Sequence, residues 1–139
     1  DGLWNNLLNV NLIAPFRMTR AAAPFLKERH GAVVNTASVA GMKGQASSIP
    51  YAASKAGLIN LTQNLARALA PDVRVNAVAP GWIDTPWTKS WPEERRQKSV
   101  ENTLLKRIGT PEDVADVIFF LAVSGAYVTG QTVVVDGGR

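Results

Sequence analysis

The chain contains no cysteine and only one histidine. Disulfides and thiolate metal sites are thereby excluded, and the lone His30 builds no metal cluster. No apolar run reaches membrane-spanning length and no secretory signal occurs in these residues. This fits a cytoplasmic protein with no membrane partner. A further absence concerns glycine. There is no G-x-G-x-x-G or T-G-x-x-x-G-x-G turn, so no segment reads as a backbone cradle for a pyrophosphate at a helix N-terminus.

What is present describes one folded core. The 139 residues are 46% hydrophobic and 19% charged, the composition of a globular α/β protein rather than a disordered one. The net charge of +4 is not gathered into one block. Arg17, Arg20, Lys27 and Arg29 decorate the first helical segment, and Arg95, Arg96 and Lys98 sit beside Glu93 and Glu94. Such mixed runs read as solvated helix faces, not as a nucleic-acid interface.

Helical and extended patterns alternate. Residues from about Leu3 to Arg29 read as helix, with Pro15 and Pro24 as irregularities. His30, just before Gly31, falls where a helix C-terminus is capped. Gly31 to Ala37 reads as a strand, and a loop of small residues follows from Ser38 to Ile49. Pro50 opens a second helix that runs to Leu69 and stops before Pro71. Val73 to Ala79 is a second buried strand, broken by Pro80 and Gly81. Residues 86–108 are polar, Pro111 starts a helix ending near Val123, and Gln131 to Val135 is a third strand. Helices between strands predict a parallel sheet with right-handed crossovers.

Chemistry concentrates at the strand ends. Tyr51 lies thirteen positions after Ser38, and Lys55 four positions after Tyr51. On a helix, residues four apart share a face, so the phenol and the amine project side by side. An ammonium beside a phenol favours the phenolate, which suits the phenol to general acid/base work. Ser38 is placed to hydrogen-bond a substrate oxygen and steady the charge that develops there. A lone YxxxK recurs by chance; Ser38 and the segment P-G-W-I-D-T give it weight. The set serves proton transfer to an oxygen, and because no side chain carries hydride, a nicotinamide cofactor is implied.

These motifs, in this order, resemble the second half of a short-chain dehydrogenase/reductase. N-T-A-S-V-A-G at 35–41 resembles the family's catalytic-serine segment, N-V-N-L at 9–12 its catalytic asparagine helix, and P-G-W-I-D-T the segment against the nicotinamide. P-E-D-V-A at 111–115 and V-T-G-Q-T-V-V-V-D-G-G at 128–138 resemble its closing helix and last strand. Within the family, 3-oxoacyl carrier-protein reductases and similar bacterial alcohol dehydrogenases look nearest. The resemblance implies an α/β fold, namely the second half of a Rossmann-type doubly wound parallel sheet with three strands and flanking helices. It implies catalytic roles for Asn11, Ser38, Tyr51 and Lys55, with Asn11 holding a water that links Lys55 to solvent. Read on its own, Asn11 is a helix-kink residue bonding its own backbone. Cofactor contacts fall on Tyr51, Lys55, Pro80, Gly81, Ile83 and Thr85, with Gly81 allowing close approach to the nicotinamide. Substrate contacts fall on Ser38, Met42, Tyr51, Trp82 and Trp87, with Gln45 nearby.

The implied reaction interconverts a ketone and a secondary alcohol with NAD or NADP. Trp82, Trp87 and Trp91 serve either as an aromatic wall for an apolar substrate or as packing between lid and sheet; Trp4 reads as core or interface. The family's glycine-rich half has no counterpart here. Residues 1–139 are therefore expected to be the C-terminal part of one domain. The alternative is a non-catalytic fragment or assembly module that binds no cofactor. A homotetramer or dimer is expected, pairing through the first and second long helices, the second with a small-residue surface of Ala52, Ala53, Ala56, Ala66, Ala68 and Ala70. With no strand beyond it, the strand holding Val33 and Val34 is expected to be an open edge.

Overall fold

The segment R-V-N-A-V-A-P becomes the middle of the sheet. A computed structural model describes residues 1–44 and 48–139. Strand β2 (Arg74–Pro80) pairs in parallel with β1 (Ala32–Thr36) on one side and β3 (Thr132–Val135) on the other. Val75, Ala77, Val78 and Ala79 are all 0% exposed, so both faces of β2 are covered. A strand buried on two faces needs a continuous apolar run rather than an alternating one. The exception, Asn76, is equally buried and fully engaged. Its amide donates to the Val128 carbonyl at 2.8 Å and accepts from the Gln131 N–H at 3.0 Å, tying the entry of β3 to β2.

The first helix is continuous but not uniform. It runs as α1 (Gly2–Leu8), a π-turn (Asn9–Ile13) and α2 (Ala14–Glu28). The irregularity lies one turn before Pro15, not at it. Proline has no N–H to close an α-helical ring; the chain widens beforehand, the Ala14 N–H reaching the Asn9 carbonyl. Pro15 then sits in the first turn of α2, where no donor is required, and Pro24 rides inside α2. The chain leaves α2 through His30, at φ 48°. The His30 N–H bonds the Lys27 carbonyl and the Gly31 N–H bonds the Leu26 carbonyl at 2.9 Å, a Schellman closure.

Helix α3 (Ile49–Leu69) starts with the Ser48 hydroxyl accepting the Tyr51 N–H. The polar stretch that carried no helical expectation forms α4 (Pro86–Lys89) and α5 (Glu93–Glu101). Helix α6 (Pro111–Phe119) opens with a Thr110–Asp113 capping box and continues as a second π-turn (Phe120–Ser124). The Arg74 guanidinium binds the Leu121 and Ala122 carbonyls of that turn at 2.6 and 3.0 Å.

The adjacent residues Val33 and Val34 point to opposite faces of β1. Val33 joins Leu65, Ala66, Val73 and Val75 under α2 and α3. Val34 joins Val78, Val114, Leu121, Val133 and Val135 on the α6 side. Ala66 is therefore core, correcting its place in a helix-pairing surface; Ala53, Ala56, Ala68 and Ala70 are exposed. The first helix packs on α3 within the chain: an added Cβ at Gly57 would meet the Leu12 side chain at 3.0 Å. Among the described residues β1 pairs only with β2, and no helix is long and apolar enough to cross a membrane.

Candidate active site

A parallel sheet delivers its loops to the carboxyl ends of its strands, and Ser38 and Gly81 lie there, after β1 and β2. Ser38 follows β1 and caps the short turn Val39–Gly41, its Oγ accepting the Ala40 N–H at 3.1 Å. The hydroxyl hydrogen stays available for another acceptor. Gly41 presses this loop against α3. A Cβ there would lie 2.6 Å from the Lys55 carbonyl carbon and 2.7 Å from the Ala56 nitrogen, so only glycine allows the approach.

Tyr51 occupies the first turn of α3, and Lys55 lies one turn on. The Lys55 Nζ is 5.8 Å from the centroid of the Tyr51 ring and donates to the Thr36 carbonyl at 2.7 Å. Burial lowers the Lys55 pKa below the ordinary lysine value. An ammonium has three donors, so two remain for other partners.

Asn11 sits in the π-turn and reaches across to α3 instead of bonding its own backbone. Its Nδ2 donates to Ser54 Oγ at 3.0 Å, and Ser54 donates to the Tyr51 carbonyl at 2.8 Å. Ser54 is 0% exposed and is a link that the sequence reading missed. It stands in plain view in Y-A-A-S-K, but its partner is 43 positions away.

The nominated side chains divide between two spaces. Ser38, Tyr51, Gly81, Trp82, Ile83 and Trp87 line one cavity of about 420 Å³. Asn11 and Lys55 line a groove of about 330 Å³ beside β1, together with Thr36. Met42 lines neither and is 52% exposed; Pro80 ends β2 and also lines neither. Gln45 lies outside the described residues. The three tryptophans form one cluster. They line the cavity and pack edge-on, Trp82 to Trp91 at 4.6 Å and Trp87 to Trp91 at 5.0 Å.

Two nominated residues have structural duties that the sequence did not disclose. A Cβ on Gly81 would meet Asp136 Cβ at 2.7 Å and Asp136 Cα at 2.9 Å, so this glycine serves the packing of two strand exits. Thr85 caps α4 in a reciprocal pair with Thr88. Ile83 is held by a parallel bridge to Gly109, made through the Trp82 carbonyl and the Asp84 N–H. That pattern turns the N–H of Ile83 itself away from the bridge.

A family model described as enoyl-(acyl carrier protein) reductase matches residues 2–139, and 3-oxoacyl-(acyl-carrier-protein) reductase FabG of Thermotoga maritima is 46% identical over 97% of this chain and 56% of its own length. The chain belongs to the short-chain dehydrogenase/reductase family. A solved 3-oxoacyl-(acyl-carrier protein) reductase from Brucella melitensis superposes with a TM-score of 0.94 at 40% identity, over 99% of this chain and 53% of that one. Another from Brucella melitensis, with bound NAD, gives 0.89 at 40% identity, over 99% and 52%. This short-chain dehydrogenase/reductase chain thus spans about half the length of the relatives it matches.

Proposed function

We propose that the protein carrying this chain is an oxidoreductase that interconverts a ketone and a secondary alcohol with NAD or NADP. The observation that carries this reading is the placing of Ser38 and Tyr51 on one cavity, with Lys55 one helical turn behind the phenol. When bound, the nicotinamide cofactor supplies the hydride that no side chain can provide. The donor set fits it. Lys55 has two free N–H donors for ribose hydroxyls and Ile83 a backbone N–H for a carboxamide. Gly81 lies beside Ile83 on that wall, with Pro80 and Thr85 flanking the segment in sequence.

At the substrate oxygen, Ser38 donates a hydrogen bond and steadies developing charge. Tyr51 gives its proton to the oxygen in reduction and takes it back in oxidation. Lys55 and Asn11 share the groove beside β1, which offers the proton a route from the phenol toward water. Asn11 is positioned for this by Ser54. The relatives named as 3-oxoacyl-(acyl-carrier-protein) reductases support a carbonyl compound as the substrate, here read as a small molecule. The 139 residues are read as the C-terminal part of one Rossmann-type domain in a cytoplasmic enzyme. Exposed Leu3, Trp4, Val10 and Phe16 on the first helix supply apolar surface for a homotetramer or dimer.

Tyr51→Phe tests the mechanism in the protein at its native length. Carbonyl reduction should fall by about 10²–10⁴-fold, the worth of a positioned proton donor, while NADH or NADPH binding persists. Near-normal turnover would refute the assignment. A second reading, that the 139-residue chain alone is a non-catalytic fragment, is favoured by the unpaired edge of β1 and the lack of a glycine-rich turn. A nicotinamide-binding titration on this chain by itself separates the two.

A further inference from the structure

One helix brings two cations to the wall of the Tyr51 cavity. Arg95, Lys98, Ser99 and Asn102 line the cavity. Their spacing, i, i+3, i+4 and i+7 along α5 and its C-cap, puts them on one helical face. Arg95 and Lys98 are exposed, as expected of a solvated helix face, and that face borders the cavity. The structure separates the signs. Glu93 lies 3.8 Å from Arg96, which also binds Asp84 at 3.3 Å. No aspartate or glutamate is among the residues lining the cavity.

Arg95 and Lys98 make no ion pair and no side-chain hydrogen bond among the described residues. Arg95 is nevertheless held in place. Its guanidinium carbon lies 3.6 Å from the centroid of Trp91 and 5.5 Å from that of Trp82. A guanidinium laid on an indole keeps its N–H edges unspent. Unpaired positive charge over a walled cavity raises the local concentration of anions.

Building on the dehydrogenase reading of the same cavity, we propose that its substrate is a carbonyl compound bearing an anionic group, a carboxylate or a phosphate. Arg95 and Lys98 bind the anion while the carbonyl lies at Ser38 and Tyr51. The three tryptophans cover the apolar stretch between.

The test uses the protein at its native length and (ω−1)-oxocarboxylates, methyl ketones of increasing chain length, each paired with its methyl ester. Binding is read without turnover, from the fluorescence of the cavity tryptophans, and kcat/KM is read separately. The best acid should bind about tenfold tighter than its ester, the scale of a hydrogen bond to a charged group. That preference should shrink as salt is raised. Replacing both cations, Arg95→Gln with Lys98→Gln, should weaken the acid to the level of the ester, and Arg95→Lys should preserve the preference. Equal binding of acid and ester by the unaltered protein overturns the proposal, as does a preference that survives the double replacement. Equal reduction of acid and ester upholds the dehydrogenase reading and overturns this one. Preferential acid binding without reduction of either upholds this proposal and defeats the dehydrogenase reading. If the double replacement instead weakens NADH or NADPH and treats acid and ester alike, the cations serve dinucleotide phosphates and the substrate assignment fails.

Discussion

Gly41→Ala probes how the Ser38 loop is seated on α3. The added Cβ would stand 2.6 Å from the Lys55 carbonyl carbon, 2.7 Å from the Ala56 nitrogen and 2.9 Å from the Lys55 oxygen. Two carbons need about 3.5 Å, so the loop and the helix must separate by about 0.9 Å. The obstructing atoms are backbone in a helix interior and cannot swing aside as a side-chain end would. Overpacking of this kind costs about 1–3 kcal/mol, readable as a lowered urea midpoint at unchanged m-value. The same displacement moves Ser38 away from Tyr51. A misplacement of about 1 Å is worth about 10²-fold in rate, so kcat/KM should drop on that scale beyond any loss of folded protein. Gly44→Ala is the control, since nothing lies within 4 Å of a Cβ built there; it should change neither quantity. A Gly41→Ala protein with the parent's midpoint and rate would refute the seating argument.

The remaining predictions concern stability. Bidentate bonds from Arg107, at 2.6 and 2.7 Å, and the Thr110 N–H hold the Asp113 carboxyl well below the usual carboxylate range. A carboxyl depressed in the folded state contributes stability that is fully present above its unfolded value and lost as pH falls toward the folded one. Asp113→Asn should therefore lower the urea midpoint near neutrality and flatten its decline between about pH 5 and about pH 2; parallel acid limbs for both proteins would refute the linkage. The Trp82 indole N–H is buried without a partner, a cost of about 1–3 kcal/mol. Trp82→Phe removes that donor along with some packing, so the net change should stay within about 1 kcal/mol, and a loss well beyond that in a urea melt would show that the donor is engaged.

The strands and the two long helices were legible because their signals are local. V-V in β1, V-N-A-V-A in β2 and T-V-V-V in β3 each sit between turn residues, and Pro50 and Pro71 bracket α3. Ser38, Tyr51 and Lys55 were legible for the same reason, because they are tied to one strand end and one helical turn. The π-turns were not, since over five residues a widened turn and an α-turn expose much the same apolar pattern. Helices α4 and α5 escaped notice because polar, tryptophan-bearing sequence shows no apolar stripe. The duties of Gly41, Ser54 and Gly81 depend on what another segment brings against them, and no window of sequence contains both parties. Arg95 and Lys98 had helical spacing in view, but which face met the cavity was decided by the fold.

The π-turn at Asn9–Ile13 works like a crank. Each residue of an α-helix advances about 100° around its axis, so one surplus residue rotates everything after it by roughly that angle. Ahead of the offset and within it, Asn11 and Leu12 seat on Ser54 and Gly57 of α3. Behind it, Leu26 seats on the core beneath Val33. These are two bearings set out of phase on one shaft. A uniform helix aligned to the first would swing the second past its strand. Removing a single residue from the turn would bring both into phase and unseat one of them, with Asn11 carried away from Ser54 or Leu26 from the sheet.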